Sequence, residues 1–206
     1  MTRRLSTLFL ACLAALAATF ALLAAPAHAA PPSDPGSQAT LSEYLQSLSP
    51  TERARVQREQ LPHQETRTAG PMVPADATAM ATARSGGDFS IMATGCWTQR
   101  WTGKVKAAAG NVLYTYYTVG GWCSSGTSIT SAWLADAGGE TSTPGWRYAG
   151  ITRTGAGVVS NQGRSYASHL FILGAGGIDV SNSNRCLRVK GLYTGTSTSD
   201  YTCGIY

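Results

Sequence analysis

Charged side chains are scarce in this sequence. Asp, Glu, Lys and Arg make up 13% of the 206 residues, against ~25% in typical soluble domains. The formal net charge is +5, and the basic residues are scattered rather than arranged in the dense Lys/Arg stripe that neutralises phosphate groups. We therefore expect no nucleic-acid partner.

Motifs that hold nucleotides, metals or activated nucleophiles are also missing. The sequence contains no G-x-S-x-G elbow, phosphate loop, dinucleotide fingerprint, calcium loop or C-x-x-C pair. His169 is the only histidine after residue 63, so any His-dependent catalysis in the C-terminal region rests on it. Its place in the middle of a predicted strand favours a structural role. We assign no catalytic residue and expect neither a metal nor a cofactor.

Asp136 and Glu140 are the nearest acidic pair and the remaining candidates for glycosidase carboxylates. They flank Ala137-Gly138-Gly139, which is typical of a turn. Because acidic residues beside a turn are usually only solvated, we expect no catalytic role for this pair.

Residues 1–29 have the three parts of a secretory signal peptide. Arg3 and Arg4 are followed by an apolar stretch that ends near residue 25, and Ala27-His28-Ala29 forms an A-x-A cleavage site. The apolar stretch is long enough to span a membrane, but Pro26 and the A-x-A site at its end favour cleavage after Ala29. We predict a secreted protein with no membrane segment after cleavage.

Residues 30–86 predict a leader, two short helices and a flexible linker. Two capping-box sequences, which begin at Thr40 and Ser49, each have Glu three residues later and predict helix starts. Residues 63–86 are rich in Ala, Thr and Gly and are interrupted by prolines, which favours an unstructured connector. We expect this whole segment to stand outside the core.

The core belongs to residues 87–206. All five tryptophans and eight of the nine tyrosines lie after residue 95, and large aromatic residues dominate cores. Stretches rich in β-branched and aromatic residues alternate with glycines, most clearly at residues 112–119. They predict an all-β domain, an antiparallel sandwich or barrel of short strands, preceded by a short helical and disordered N-terminal segment. In a regular strand over 127–135, Ile129, Ser131 and Trp133 would share one face.

Four cysteines follow the signal peptide, and an even number in an oxidising compartment predicts two disulfides. Three pairings are possible. We favour Cys96–Cys123 and Cys186–Cys203 because each pair brackets one predicted hairpin. Bridges that close loops of these lengths each stabilise a fold by roughly 3–4 kcal/mol.

The densest aromatic group comprises Tyr114, Tyr116, Tyr117 and Trp122. Strand alternation places Tyr114 and Tyr116 on one face and Tyr117 on the other. One face must be core, and an exposed second face would stack on sugar rings or on a protein partner. We name Tyr114, Tyr116 and Trp122 as candidate binding residues, with burial of both faces in a sandwich as the alternative.

Three short sequences, Cys96-Trp97, Trp122-Cys123 and the stretch Pro144–Gly150, resemble the pattern of small secreted β-rich proteins of actinobacteria whose function is unknown. The alanine-rich leader is similar too. The resemblance extends at most from Cys96 to the C-terminus. It implies export and a disulfide-linked β domain, and it implies no activity.

Together these features favour a secreted, non-catalytic binding or interaction domain, whose partner is a cell-wall glycan or an extracellular protein. Two alternatives stay open. One is a small secreted hydrolase made with residues 30–86 as a pro-segment. The other is a secreted toxin or inhibitor, which size, charge and disulfides suggest.

Export tests the signal peptide directly. We expect the chain expressed with its native leader to reach the culture medium with Ala30 as its first residue, which intact-mass spectrometry reads. Ala29→Lys should block cleavage, because signal peptidase needs a small residue there. Retention in the membrane with residues 1–29 attached would contradict the prediction, and a mature N-terminus after residue 86 would instead favour the pro-segment.

Overall fold

A computed structural model describes residues 41–75 and 94–206. The predicted signal peptide, the leader to residue 40 and the linker residues 76–86 lie outside the described residues. The described part contains two helices, α1 (Leu41–Ser47) and α2 (Pro50–Glu59), followed by β1 (Pro62–Pro74), β2 (Gly95–Ala107), β3 (Val112–Ser125), β4 (Ser128–Thr141), β5 (Trp146–Val159), β6 (Gln162–Ala175), β7 (Ile178–Gly191) and β8 (Ser197–Asp200).

The strands form two four-stranded antiparallel sheets, each a meander in chain order. The first sheet has the order β1-β2-β3-β4 and the second β5-β6-β7-β8. Their inward side chains meet in one core, where the ring of Tyr114 from β3 stacks on Phe171 from β6 with centroids 4.0 Å apart. The predicted all-β antiparallel architecture is confirmed, and of the two forms predicted, sandwich or barrel, the two packed sheets correspond to the sandwich.

The strands run through glycines that we expected to mark turns. Strands β1 to β7 each have 13 or 14 residues, longer than the short strands predicted. These glycines lie within strands because an aromatic ring fills the space that a larger side chain would have occupied. A Cβ at Gly139 would lie 2.8 Å from the Phe171 ring, and one at Gly155 would lie 2.6 Å from the Tyr166 ring.

Trp122 of β3 determines how closely the two sheets approach. Its indole lies against Gly163 of β6 and Gly191 of β7, where an added Cβ would come closer than 3.0 Å to the tryptophan. The indole N–H donates to the carbonyl of Leu192 at 3.1 Å. A fully buried tryptophan thus packs directly on the backbone of the opposite sheet.

Both favoured disulfides are present. Cys96–Cys123 joins residues that are directly opposed on β2 and β3. Cys186–Cys203 joins β7 to the segment that follows β8. Arg188 on β7 donates to the carbonyls of Gly204 and Tyr206 at 3.0 and 2.9 Å. The second disulfide therefore fixes residues 201–206 against the second sheet.

The segment predicted as a flexible connector is partly a strand. Residues 62–74 form β1, which pairs with β2 along the edge of the first sheet. Pro71 lies in a register irregularity between Ala69 and Met72, and an edge strand tolerates such a residue because one side of its backbone needs no partner. The composition of this segment did not predict a strand, because its Ala, Thr and Gly residues show no clear alternation of apolar and polar side chains.

Glu65 ties β1 to the interior of the sandwich. Its carboxylate accepts hydrogen bonds from the hydroxyl of Tyr116 and from the guanidinium of Arg185, the latter at 3.2 Å. Only 19% of the Glu65 side chain and 29% of the Arg185 side chain is exposed. Tyr44 and Leu61 also pack against the core. The prediction that residues 30–86 stand outside the core is therefore corrected for residues 41–75.

Helix α2 begins with the predicted capping box. Ser49 accepts from the backbone N–H of Glu52, and the Glu52 carboxylate accepts from the backbone N–H of Ser49. Only Val56 is buried on this helix, as its polar sequence predicts. The residue after the helix, Gln60, accepts a hydrogen bond from the indole of Trp146 at 3.0 Å. Neither helix in the described residues is long and apolar enough to cross a membrane.

Removing the Glu65 carboxylate tests whether β1 is part of the fold. We expect Glu65→Ala to lower the free energy of unfolding by about 2 kcal/mol, because Arg185 and Tyr116 lose a partner in a partly dry site. Urea unfolding measures the change. The control is Glu59→Ala, which removes an exposed ion pair with Arg58 and should cost less than about 0.5 kcal/mol. Equal, small effects of the two substitutions would contradict the role given to Glu65.

Candidate functional site

The three residues predicted to bind a ligand lie in the core. Tyr114 and Trp122 are 0% exposed and Tyr116 is 1% exposed. They share the inward face of β3, which the second sheet covers completely. This burial overturns their assignment as binding residues. The alternative, burial of both faces of the strand in a sandwich, is found for this inward face only, because Tyr117 on the other face is half-buried.

The buried hydroxyls are engaged inside the protein. Tyr114 Oη lies 2.7 Å from Ser183 Oγ, and Arg185 Nε donates to both oxygens at 3.2 and 2.8 Å. Burial, reinforced by the hydrogen bond to Glu65, raises the pKa of Tyr116 far above its ordinary value. These groups stabilise the interior and do not face a ligand.

His169 is a buried, neutral side chain. It is 0% exposed, with Nδ1 3.1 Å from Tyr148 Oη and Nε2 3.4 Å from Thr118 Oγ1. Because each hydroxyl can donate or accept, a neutral imidazole is satisfied at both nitrogens. Burial lowers the pKa of His169 to about 4. The structure gives this histidine the structural role that its strand position predicted.

Asp136 and Glu140 lie within β4 rather than beside a turn. Four residues separate them along one face of the strand, about 13 Å, whereas glycosidase carboxylates lie roughly 5–9.5 Å apart. Each already accepts a hydrogen bond, Asp136 from Tyr117 Oη at 3.0 Å and Glu140 from Thr115 Oγ1 at 2.9 Å. The arrangement does not fit a pair of glycosidase carboxylates.

Tyr117 points to the outer side of the first sheet, as the alternation predicted. Residues paired across strands share a face, so the register of β1 to β4 defines this outer surface. We call it the aromatic face, and its rows are Thr66, Lys104, Thr115 and Glu140; Thr68, Thr102, Tyr117 and Gly138; Arg100, Val119 and Asp136; and Thr98, Gly121 and Trp133.

Trp133 lies on the aromatic face, over Gly121. A Cβ at Gly121 would collide with its indole ring, so the ring covers the glycine opposite it on β3. Trp133 is half-buried, and among the described residues its indole N–H has no hydrogen-bond partner. The expectation that Trp133 shares a face with Ile129 is corrected, because the register shifts near Thr130 and turns Ile129 into the core.

A second ring on this face is held by charged neighbours. The Arg100 guanidinium lies 3.6 Å from the centroid of the Tyr117 ring and 3.9 Å from the Asp136 carboxylate. Gly138 leaves room for the tyrosine, since a Cβ there would lie 2.9 Å from its hydroxyl. Arg100 and Asp136 are exposed, so their outer edges remain open to solvent.

A shallow cavity of about 230 Å³ lies beside this ring. Its walls are the Arg100 and Tyr117 stack on one side and the Glu140 carboxylate on the other. Side chains or backbone of seven residues line it: Arg100, Thr102, Thr115, Tyr116, Tyr117, Gly139 and Glu140. The aromatic face thus combines the partly exposed ring of Trp133 with a pocket that carries charged and hydroxyl groups. The sheet supports both.

A second hollow, of about 420 Å³, lies between the end of α2 and the connection from β4 to β5. Its main polar side chain is already used, because Asn111 Nδ2 lies within hydrogen-bond distance of both the Glu59 carbonyl and Thr143 Oγ1, at 2.9 and 3.0 Å. This hollow has fewer unused hydrogen-bonding groups than the aromatic face.

Within residues 41–75 and 94–206, no group of three or more His, Cys, Asp or Glu side chains is placed to hold a metal ion. No protein-family model, curated protein or solved structure matches the chain. The aromatic face is therefore interpreted from its own chemistry.

Sequence reasoning missed Trp133 and Arg100. Their roles depend on pairing partners that a single strand does not reveal: Gly121 beneath Trp133, and Tyr117 beneath Arg100. The only available signal was the alternation that set Tyr117 apart from Tyr114 and Tyr116.

The low pKa of His169 predicts how stability depends on pH. The unfolded chain binds this proton with the ordinary histidine pKa of 6.5 and the folded chain with a pKa of about 4, so the stabilisation is complete above pH 6.5 and is lost as the pH falls towards 4. We expect the free energy of unfolding to be about 2–3 kcal/mol lower near pH 4.5 than near pH 7. Urea titrations at the two pH values measure it.

The variant comparison isolates this histidine from carboxylates that titrate in the same range. His169→Gln should remove most of the difference between the two pH values, whatever its overall stability. His63→Gln, at an exposed position, should retain the full difference. A pH difference that is unchanged in His169→Gln would refute the assignment.

Proposed function

We propose that the protein is secreted and acts outside the cell as a non-catalytic binding domain, with the aromatic face as its binding surface. The observation that carries the proposal is Trp133, a partly exposed tryptophan whose ring covers a glycine of the sheet and whose indole N–H has no partner in the described residues. Trp is enriched at binding hot spots, and this large aromatic side chain lies outside the core.

The disulfides support the extracellular part of the proposal. Two disulfides are consistent with an extracellular protein, because such bonds form and persist in oxidising compartments. The predicted signal peptide with cleavage after Ala29 agrees with this location, as does the proposed kinship with small secreted actinobacterial proteins.

The binding role is favoured over the two alternatives by specific contacts. A His-based hydrolase would need an accessible His169, whose ring is buried and bonded to two hydroxyls. A removable pro-segment fits poorly with β1, which supplies Glu65 to the interior. No contact in the described residues specifically favours a toxin or an inhibitor.

Capture from envelope and culture fractions tests the proposal. We expect the immobilised domain to retain a component of one fraction, and Trp133→Ala to reduce the retained amount at least about tenfold, the loss typical of a binding hot spot. Ile151→Ala on β5 is the control, because it truncates a more accessible apolar side chain, 43% exposed, outside the aromatic face.

Two results would count against the binding domain. One is that no fraction yields a retained component under any buffer condition. The other is that Trp133→Ala, with an unchanged melting temperature, captures as much as the Ile151→Ala control.

A further inference from the structure

We infer that the ligand of the aromatic face is a neutral polysaccharide, one of whose sugar rings stacks on Trp133 while a neighbouring part of the chain enters the pocket between Arg100 and Glu140. This inference rests on the proposed binding function and names its ligand class. Ring geometry, charge balance and the spacing of polar groups support it.

The ring of Trp133 covers Gly121 and remains partly exposed on the aromatic face. The apolar C–H face of a pyranose ring packs on such a surface, and the indole N–H at the ring edge is free to donate to a sugar hydroxyl. A flat ring of this kind recognises shape and requires no charge.

The charges in the four rows of the aromatic face are balanced. Arg100 and Lys104 face Asp136 and Glu140 across the same rows, so these four charges cancel. Lys106 lies beyond the rows and adds a single positive charge at their edge. A polyanion such as a nucleic acid or a phosphate-bearing polymer needs an excess of Lys and Arg at its contact surface. An electrically balanced face complements an uncharged chain.

The aromatic face carries many hydroxyl groups and paired ions. Thr66, Thr68, Thr98, Thr102 and Thr115 lie on the face in register. The Arg100–Asp136 and Thr115–Glu140 pairs are already oriented by their mutual contacts. Oriented donors and acceptors of both kinds match sugar hydroxyls, which donate and accept, and pre-orientation lowers the entropy cost of binding.

The span of the face favours a chain over a single sugar. Trp133 lies in the row of Gly121 and Glu140 in the row of Thr115, six residues away along β3, or about 20 Å. A monosaccharide contacts one of these positions, whereas an extended chain contacts both. Longer oligosaccharides should therefore bind more tightly, because the second contact becomes intramolecular.

Pull-down on insoluble polysaccharides, followed by calorimetry with soluble oligosaccharides, tests the inference. The probes are two uncharged polysaccharides, cellulose and chitin, with heparin beads as the polyanion control. We expect retention on at least one of the two uncharged polymers, little on heparin, and an affinity that changes less than about twofold when salt is raised tenfold, since screening does not affect a neutral ligand.

Variants locate the site. Trp133→Ala should weaken binding at least about tenfold, and Trp133→Phe should recover part of the loss because it retains a ring. Arg100→Ala should weaken the longest oligosaccharide most. Arg55→Ala on α2, an exposed arginine away from the face, should bind as the parent does. If Trp133→Ala fails to fold, the graded loss in Trp133→Phe still decides the question.

The outcomes separate this inference from the binding function itself. Retention on no polysaccharide, together with Trp133-dependent capture of an extracellular protein, would overturn the glycan inference and leave the binding domain standing. Salt-sensitive retention on heparin alone would also overturn it. Absence of every retained component would remove both.

Discussion

The packing of aromatic rings on glycine backbone is the contact on which the structure depends. Trp122 lies on Gly163 and Gly191 of the opposite sheet, and no other residue type leaves room for it. Interiors are close-packed, so adding one methyl group at such a position forces rings or strands apart. These contacts give the abundance of glycine in this sequence a physical reason, because the two long meanders are held at the separation that their rings require.

The same arrangement recurs on the outer side of the first sheet with a different result. Trp133 covers Gly121 and Tyr117 covers Gly138, but no second sheet lies above them among the described residues. Inside the sandwich, a ring on glycine excludes water and stabilises the fold. Outside, it holds a ring in one orientation, which is the pre-organisation that a binding surface needs. The proposed site thus uses the same contact of a ring with a glycine as the core, but on the outer surface of the sheet.

Much of the fold was predictable from sequence, and the site was not. The number of cysteines and the order of the hairpins were enough to pair Cys96 with Cys123. The β-branched and aromatic residues at 112–119 were enough to predict strand β3. Strand β1 escaped detection because its edge position relaxes the demand for alternating apolar residues. Trp133 escaped because one extra residue in β4 reverses which side chains point inward. Register is a property of two strands, and no single stretch of sequence contains it.

The break in β1 at Pro71 bears on how the protein behaves when crowded. An unbroken edge strand offers a row of free N–H and C=O groups to which another chain can add, the usual beginning of β aggregation. Here the outer edge of the first sheet carries prolines at 62, 71 and 74 and a register irregularity between Ala69 and Met72. The backbone geometry of β1 therefore disfavours the addition of another chain to this edge, in a β-rich protein that carries little charge to keep its copies apart.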